Sequence, residues 1–293
     1  MSASFRRVAI LGTGLIGGSF ALALRKHFPD TIVVGWDKAH VLRHALERGA
    51  IHEGIGDVSL AVAGADLIYV ALPVGQTIEL LPEIARIAPL RSLVTDASST
   101  KRPVCAVAAE SFREGGAHFL GGHPMAGKEI SGIAAADADL FRGSKYALIG
   151  SSAQGSAAKP REPRVAGFVA LVEKLGAEPV WLAADVHDRA AAVVSHLPQL
   201  LAVALAGVVR GETDETGLPV TLAGRGLRDA LRLAGSPYSV WRDIILTNSD
   251  NLERVLDQMI QALEQVRADL RTRALEEEFS AAGELYKILR DLQ

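Results

Sequence analysis

The chain is poor in cysteine, in net charge and in long uninterrupted apolar runs. Its one cysteine, Cys105, excludes an intrachain disulfide and a multi-cysteine zinc site, and it fits a reducing, cytoplasmic compartment. The apolar neighbours of Cys105 in Pro103-Val104-Cys105-Ala106-Val107 favour a buried structural thiol over a nucleophile. No metal is expected. Net charge is −3, from 31 Lys and Arg against 34 Asp and Glu, which lacks the basic excess of a dedicated nucleic-acid binder. No run approaches the ~18 unbroken apolar residues of a membrane span. Met1–Arg7 is too short to read as a signal peptide. Neither nucleic acid nor membrane is therefore expected as a partner. What is present is a soluble balance, 49% hydrophobic and 22% charged, over 293 residues, enough for two domains with cores.

Arg7–Leu11 reads as a short strand, Ser19–Lys26 as a helix, and Thr31–Asp37 as a second strand ending in a carboxylate. Between strand and helix lies Gly12-Thr13-Gly14-Leu15-Ile16-Gly17. A G-x-G-x-x-G in that setting, with an acid about 20 residues further on, is a dinucleotide-binding arrangement. Gly12 permits the tight turn, Gly14 lets a pyrophosphate reach the backbone, and Gly17 lets the helix pack on the strand. The free N–H groups at the helix start suit phosphate. Asp37 is placed to accept hydrogen bonds from a ribose and to repel a 2′-phosphate, so NAD is expected ahead of NADP. Lys38 beside it softens that preference.

Alternation of strand and helix continues to residue 184. Ala65–Leu72 reads as a strand ending at Pro73. Ala71, Leu72 and Pro73 would line a cofactor cleft beyond the strand end, unless they form a plain loop turn. Helices are expected over 41–48 and 78–87, and a strand over 92–95. The hydroxyls of Asp96-Ala97-Ser98-Ser99-Thr100-Lys101 either cap the next helix, which has Pro103 in its first turn, or meet a substrate. A strand at Phe119–Gly121 would carry His123 to the same sheet edge as Pro73 and Ser99. His123 sits in Gly121-Gly122-His123-Pro124-Met125-Ala126-Gly127, with Glu129 six positions beyond it. That stretch is either a surface turn or a proton-transfer site that glycines leave open to a ligand. Tyr146–Ile149 and Glu178–Leu182 read as strands, 151–164 as a mobile surface loop, and Val165–Leu175 as a helix closed by Gly176. After Asp185 only helices are expected. Val186–Val209 would be kinked by Pro198, freeing a carbonyl near residue 194. Short helices follow over 227–233 and 239–246. The stripe Leu252, Val255, Leu256, Met259, Leu263, Val266, Leu270 has helical spacing and packs within the chain or against a second subunit. The fold class is an α/β Rossmann-type doubly wound sheet over 1–184, followed by an all-helical domain over 185–293.

With Gly12 through Ser19, Asp96 through Lys101, Gly121 through Gly132, Ser195-His196-Leu197-Pro198 and Trp241-Arg242-Asp243, nearly the whole chain resembles the prephenate/arogenate (cyclohexadienyl) dehydrogenase family of tyrosine biosynthesis. The histidine stretch and Ser-His-Leu-Pro are the specific parts. The resemblance implies a homodimer through the helical half and NAD(P)-dependent oxidative decarboxylation of a cyclohexadienyl substrate. It implies that His123 meets the ring hydroxyl, that Ser99 rather than Ser98 orients His123 and substrate, and that Arg232 pairs with a substrate carboxylate. His196 would line the substrate pocket together with Ser98, Gly127 and Glu129. Asp188 would take part in gating, and Trp241 would reach the neighbouring subunit's site. Gln199 stands where some relatives have a second histidine, which bears on pocket polarity and on prephenate against arogenate. No room is expected for a chorismate mutase fusion or a C-terminal regulatory domain.

Two rival readings share parts of this pattern. A β-hydroxyacid or imine dehydrogenase combines a similar opening with a helical half. The β-hydroxyacid enzymes usually place a catalytic lysine in that half, and no lysine lies between Trp181 and Tyr286. A non-catalytic NAD sensor would keep the glycine motif without needing His123, Ser99 and Arg232.

Overall fold

The structure is a computed structural model and describes residues 5–150 and 162–291. Strands and helices alternate from the start: β1 (Arg7–Leu11), α1 (Leu15–His27), β2 (Ile32–Trp36), α2 (Ala39–Glu47), β3 (Glu53–Gly54), α3 (Val58–Val62), β4 (Leu67–Val70), α4 (Val74–Ile87), β5 (Leu93–Asp96), α5 (Arg102–Ser111) and β6 (His118–Leu120). The six strands form one parallel sheet in the order β3-β2-β1-β4-β5-β6. Strand order reverses between β1 and β4, which opens a crevice beyond their carboxyl ends. The central strands β1, β2 and β4 are largely apolar because helices cover both faces. On one face Phe20 of α1 stacks on Tyr69 of β4 at 3.9 Å. Both rings are fully buried, which contributes roughly 1.5–3 kcal/mol for a side chain of that kind. On the other face Leu81 and Ile84 of α4 pack with Val104 of α5.

A second, three-stranded sheet follows: β7 (Gly122–Pro124) antiparallel to β8 (Lys145–Ile149), which runs parallel to β9 (Glu178–Leu182). His123 therefore lies in a paired strand of this second sheet, opposite Ala147, and neither in a surface turn nor on the large sheet's edge with Pro73 and Ser99. α6 (Pro163–Lys174) precedes β9; Glu162 caps it by accepting the Val165 N–H at 2.9 Å. The surface loop expected over 151–164 lies mostly outside the described residues. β4 stops at Val70, so Ala71 and Leu72 belong to the loop before α4 rather than to the strand.

Beyond Leu182 the described chain is helical. α7 (Ala184–Ala191), a π-turn (Ala192–His196) and α8 (Leu197–Gly211) make one continuous helix. A π-turn lies immediately ahead of Pro198. The Leu197 N–H reaches back five residues to the Ala192 carbonyl, and Pro198 falls in the first turn of α8, where its missing N–H costs little. Among the described residues this is the one helix long and apolar enough to cross a membrane by length and composition, a property hidden in the sequence by Ser195, His196, Pro198 and Gln199. Those His and Gln side chains are buried inward, whereas Val194 is 65% exposed and Val208 63%. α9 (Leu218–Thr221), α10 (Arg225–Leu231), α11 (Tyr238–Thr247), α12 (Ser249–Asp269) and α13 (Leu275–Asp291) complete the chain. Ile244 of α11 joins the core under α4, tying the helical half to the sheet. The stripe divides: Leu252 and Val255 are buried, Leu256 and Met259 half-buried, and Leu263, Val266 and Leu270 exposed, with Ile260 beside them also exposed.

Candidate active site

The glycine loop is built as its spacing requires. Gly12 has φ +92°, and a Cβ there would lie 2.4 Å from the Ala71 carbonyl oxygen. A Cβ on Gly17 would lie 1.8 Å from the Gly12 carbonyl oxygen, so helix and loop touch backbone to backbone. A Cβ on Gly14 would meet nothing within 4 Å, and no side chain caps the helix that starts behind it. The first N–H groups of α1 thus face open space, a ready anion site. Asp37, just past β2, accepts from the Thr13 N–H at 2.7 Å, the Thr13 hydroxyl at 3.2 Å and the Lys38 N–H at 2.7 Å. It thereby holds the glycine loop.

A cleft of about 300 Å³ opens at the switch point. It brings together Gly14, Leu15, Ile16, Ala71, Leu72 and Pro73 with Ser98, Ser99 and Glu129, and α11 closes it with Val240 and Ile244. His123 does not line this cleft. The two are joined through Asp96, at the end of β5, whose carboxylate accepts the N–H groups of Ser98 and Gly122, each at 3.0 Å. Lys101, fully buried, pairs with the same carboxylate and donates to the Gly122 carbonyl at 2.7 Å. Gly122 is gripped at both backbone groups, which fixes the residue next to it. A Cβ on Gly122 would lie 2.8 Å from the Asp96 carbonyl oxygen, and one on Gly121 2.9 Å from the Cys105 sulfur. These two glycines are needed for packing; Gly127 and Gly132 further along have open space around them.

His123 is 9% exposed. Its Nδ1 lies 2.9 Å from His187 Nε2, and His187 Nδ1 lies 2.8 Å from Asp188 Oδ1. Among the described residues, the side chain within hydrogen-bond distance of the His123 ring is that of His187. Burial pushes the His123 pKa well below its ordinary value, and its neighbours His187, Lys101 and His196 push in the same direction. Asp188 is fully buried and accepts the backbone N–H groups of Lys101 at 2.7 Å and Arg102 at 2.8 Å at the start of α5. Burial works to raise its pKa, but the hydrogen bonds from His187 and those two amides outweigh it, and the net direction is down. In this structure Asp188 ties α7 to the start of α5.

His196 lies on the same helix. Asn248 Oδ1 accepts from Asn251 at 2.9 Å and Arg102 at 3.3 Å, so its amide nitrogen faces Asp188 O at 2.8 Å and His196 Nδ1 at 3.2 Å. His196 Nδ1 is then an acceptor, and Nε2–H is a buried donor without a partner. Burial holds this imidazole down to a pKa of about 4, against the opposing pull of the Asp188 charge. Trp241 packs edge-on to it, 5.9 Å between ring centres, within its own chain. Gln199 donates to the Leu233 carbonyl at 2.9 Å and keeps a buried, unpartnered Oε1. Arg232, 60% exposed in its side chain, pairs with Glu129. Cys105 borders a separate hollow next to Gly150, and burial raises its thiol to about 12, far from a nucleophile.

The description "Prephenate dehydrogenase, nucleotide-binding domain" matches residues 20–178, and "Prephenate dehydrogenase, dimerization domain" matches 183–290. The chain belongs to the prephenate dehydrogenase family. It is 35% identical over 253 residues to a prephenate dehydrogenase of Lactococcus lactis subsp. cremoris, covering 85% of this chain and 67% of that protein. It is 30% identical over 266 residues to a cyclohexadienyl dehydrogenase of Zymomonas mobilis, covering 90% and 88%. The crystal structure of prephenate dehydrogenase from Aquifex aeolicus in complex with hydroxyphenyl propionate and NAD+ superposes with a TM-score of 0.83 at 27% identity, over 99% of each chain. For a prephenate dehydrogenase relative the parallel sheet, glycine loop and helical half are the expected parts. His187, Asn248 and the Asp96–Lys101 pair escaped the sequence reading as site residues. His187 stands beside Asp188 in the sequence, but only the pairing of β7 and the anchoring of α7 at the start of α5 bring it to His123.

Proposed function

We propose that this chain catalyses the NAD-dependent oxidative decarboxylation of prephenate or arogenate, a step of tyrosine biosynthesis, with His123 as general base. The observation that carries this reading is a buried, neutral imidazole on a rigid strand, tied through Asp96 to a dinucleotide cleft. Gly12, Gly14, Gly17 and the α1 N-terminus suit the pyrophosphate, Asp37 the ribose, and Ala71–Pro73 the face of the cleft beyond β4. When bound, NAD+ supplies the acceptor for the hydride that leaves the ring carbinol carbon. His123 takes the proton of that hydroxyl and returns it to the phenolate oxygen once carbon dioxide has departed and the ring is aromatic. Arg232 offers a planar fork for a substrate carboxylate, in place of Glu129. The orphan His196 Nε2–H and Gln199 Oε1 supply one donor and one acceptor for the substrate's polar groups. Ser98 and Ser99 line the cleft between cofactor and substrate.

The apolar outer face of α8 and α12 belongs, in this reading, to a homodimer interface, and the enzyme works in the cytoplasm. The test is NADH formation with prephenate and with arogenate, which also decides between the two. His123→Asn is expected to lower kcat by about 10²–10⁴-fold with NAD affinity unchanged. Equal loss of NAD affinity and turnover would make His123 structural, and silence of the parent enzyme with both substrates would end the reading.

A further inference from the structure

The buried chain of His123, His187 and Asp188 has a direction that can be worked out from its fixed end. Asp188 accepts two backbone N–H groups and carries no proton, so the hydrogen between it and His187 sits on His187 Nδ1. With one hydrogen on each ring, His187 then presents a bare Nε2, 2.9 Å from His123 Nδ1. The hydrogen in that contact belongs to His123 Nδ1. Its other nitrogen, Nε2, is left with a free lone pair.

We infer that His187, backed by Asp188, is a positioning residue that fixes His123 as the Nδ1–H tautomer and so keeps His123 Nε2 ready to accept a proton. The inference deepens the function proposed above and rests on it for its catalytic meaning. In the step itself the substrate O–H bond breaks and a bond from that proton to His123 Nε2 forms. The resulting imidazolium keeps its Nδ1–H on His187, whose own Nδ1–H points to the Asp188 carboxylate. A fixed negative charge thus stands two hydrogen bonds behind the positive charge that develops. The same proton leaves Nε2 for the phenolate oxygen, and the chain returns to its starting state. The geometry explains why Asp188 needs its anchorage at the start of α5: a carboxylate that swung away would release His187 to turn and His123 to exchange tautomers. Wrong tautomers are costly where a histidine must act as base, up to about 10⁴-fold in hydrolase triads.

The test is nitrogen NMR of the histidine-labelled, full-length protein above neutral pH, without substrate. His123 is expected to show a protonated Nδ1 and a bare Nε2; an Nε2–H or a rapidly exchanging mixture would overturn the inference. His187→Phe, which keeps a ring but removes the acceptor, is expected to scramble that signature. It should lower kcat roughly 10- to 100-fold, with KM and NAD affinity within about twofold. His187→Gln keeps an amide oxygen toward His123 and is expected to recover the Nδ1–H signature and most of kcat. A Phe variant that retains full kcat, or a Gln variant no better than Phe, would refute it. Should the Phe variant not fold, the parent spectrum and the Gln variant decide. If the parent oxidises neither prephenate nor arogenate, the assigned function fails while the NMR readout still decides the tautomer.

Discussion

His196 and His123 are buried as neutral imidazoles, and that has a cost below neutral pH. The unfolded chain takes up protons on these residues near pH 6.5, whereas folded His196 does so only near 4. Between those values the unfolded state binds more protons, so stability falls as pH falls. For His196 alone the loss reaches about 2 kcal/mol at pH 5. Urea unfolding at pH 7 and pH 5 should show it, and His196→Leu should shrink the difference; an equal pH effect in both proteins would count against this account. Asp37 offers a second test. Asp37→Asn keeps an acceptor for the Thr13 N–H but removes the charge, so NADP should gain about tenfold relative to NAD in kcat/KM, a ratio that steady-state kinetics with both cofactors measures. At this scale the sequence singled out the groups with a motif around them: the glycines, Asp37, His123. It did not disclose His187, Lys101 or Asn248, because their significance lies in contacts such as Asn248 to Asp188, 60 residues apart.

Among the elements, the glycine loop separates two kinds of glycine. Gly17→Ala sets a methyl group against the Gly12 carbonyl oxygen and should lower Tm by several degrees as well as weaken NAD binding. Gly14→Ala meets no atom, so Tm should hold while NAD affinity drops about tenfold or more; thermal melts with and without NAD read both effects. Long apolar strands and amphipathic helices were legible because their period reports burial. β7 was not, since Gly-His-Pro has little strand propensity and is held by pairing with β8 and by the Asp96–Lys101 grip on Gly122. β3 and α3 are too short to carry a period.

For the whole molecule, the large unpaired apolar surface lies on the helical half. Val194, Val208, Ile260 and Leu263 are each more than half exposed, on helices whose opposite sides are packed. Covering them is worth about 25 cal/mol per Å² of apolar area removed from water. Two charges there, Ile260→Glu with Leu263→Glu, should shift sedimentation from dimer to monomer while leaving the spectrum of the folded chain unchanged. A dimer that survives both would place the interface elsewhere. The division into an alternating half and a helical half was readable because hydrophobic period changes after Leu182. How α11 docks under α4 was not, because that contact depends on side chains from both halves.

The π-turn between α7 and α8 acts as a phase shift of one residue. In an unbroken α-helix, nine steps of about 100° would set His196 on the side opposite His187, and twelve steps would set Gln199 about 120° away. One extra residue in the turn brings them to roughly 80° and 20°, onto the same flank. A chain that lost one residue from Val193-Val194 would keep its composition, its hydropathy and a good helix. It would nevertheless rotate His196 and Gln199 out of the site, or send Asp188 off the start of α5. Single-residue insertion is thus a route by which an ordinary apolar helix could have acquired a polar flank without a single substitution.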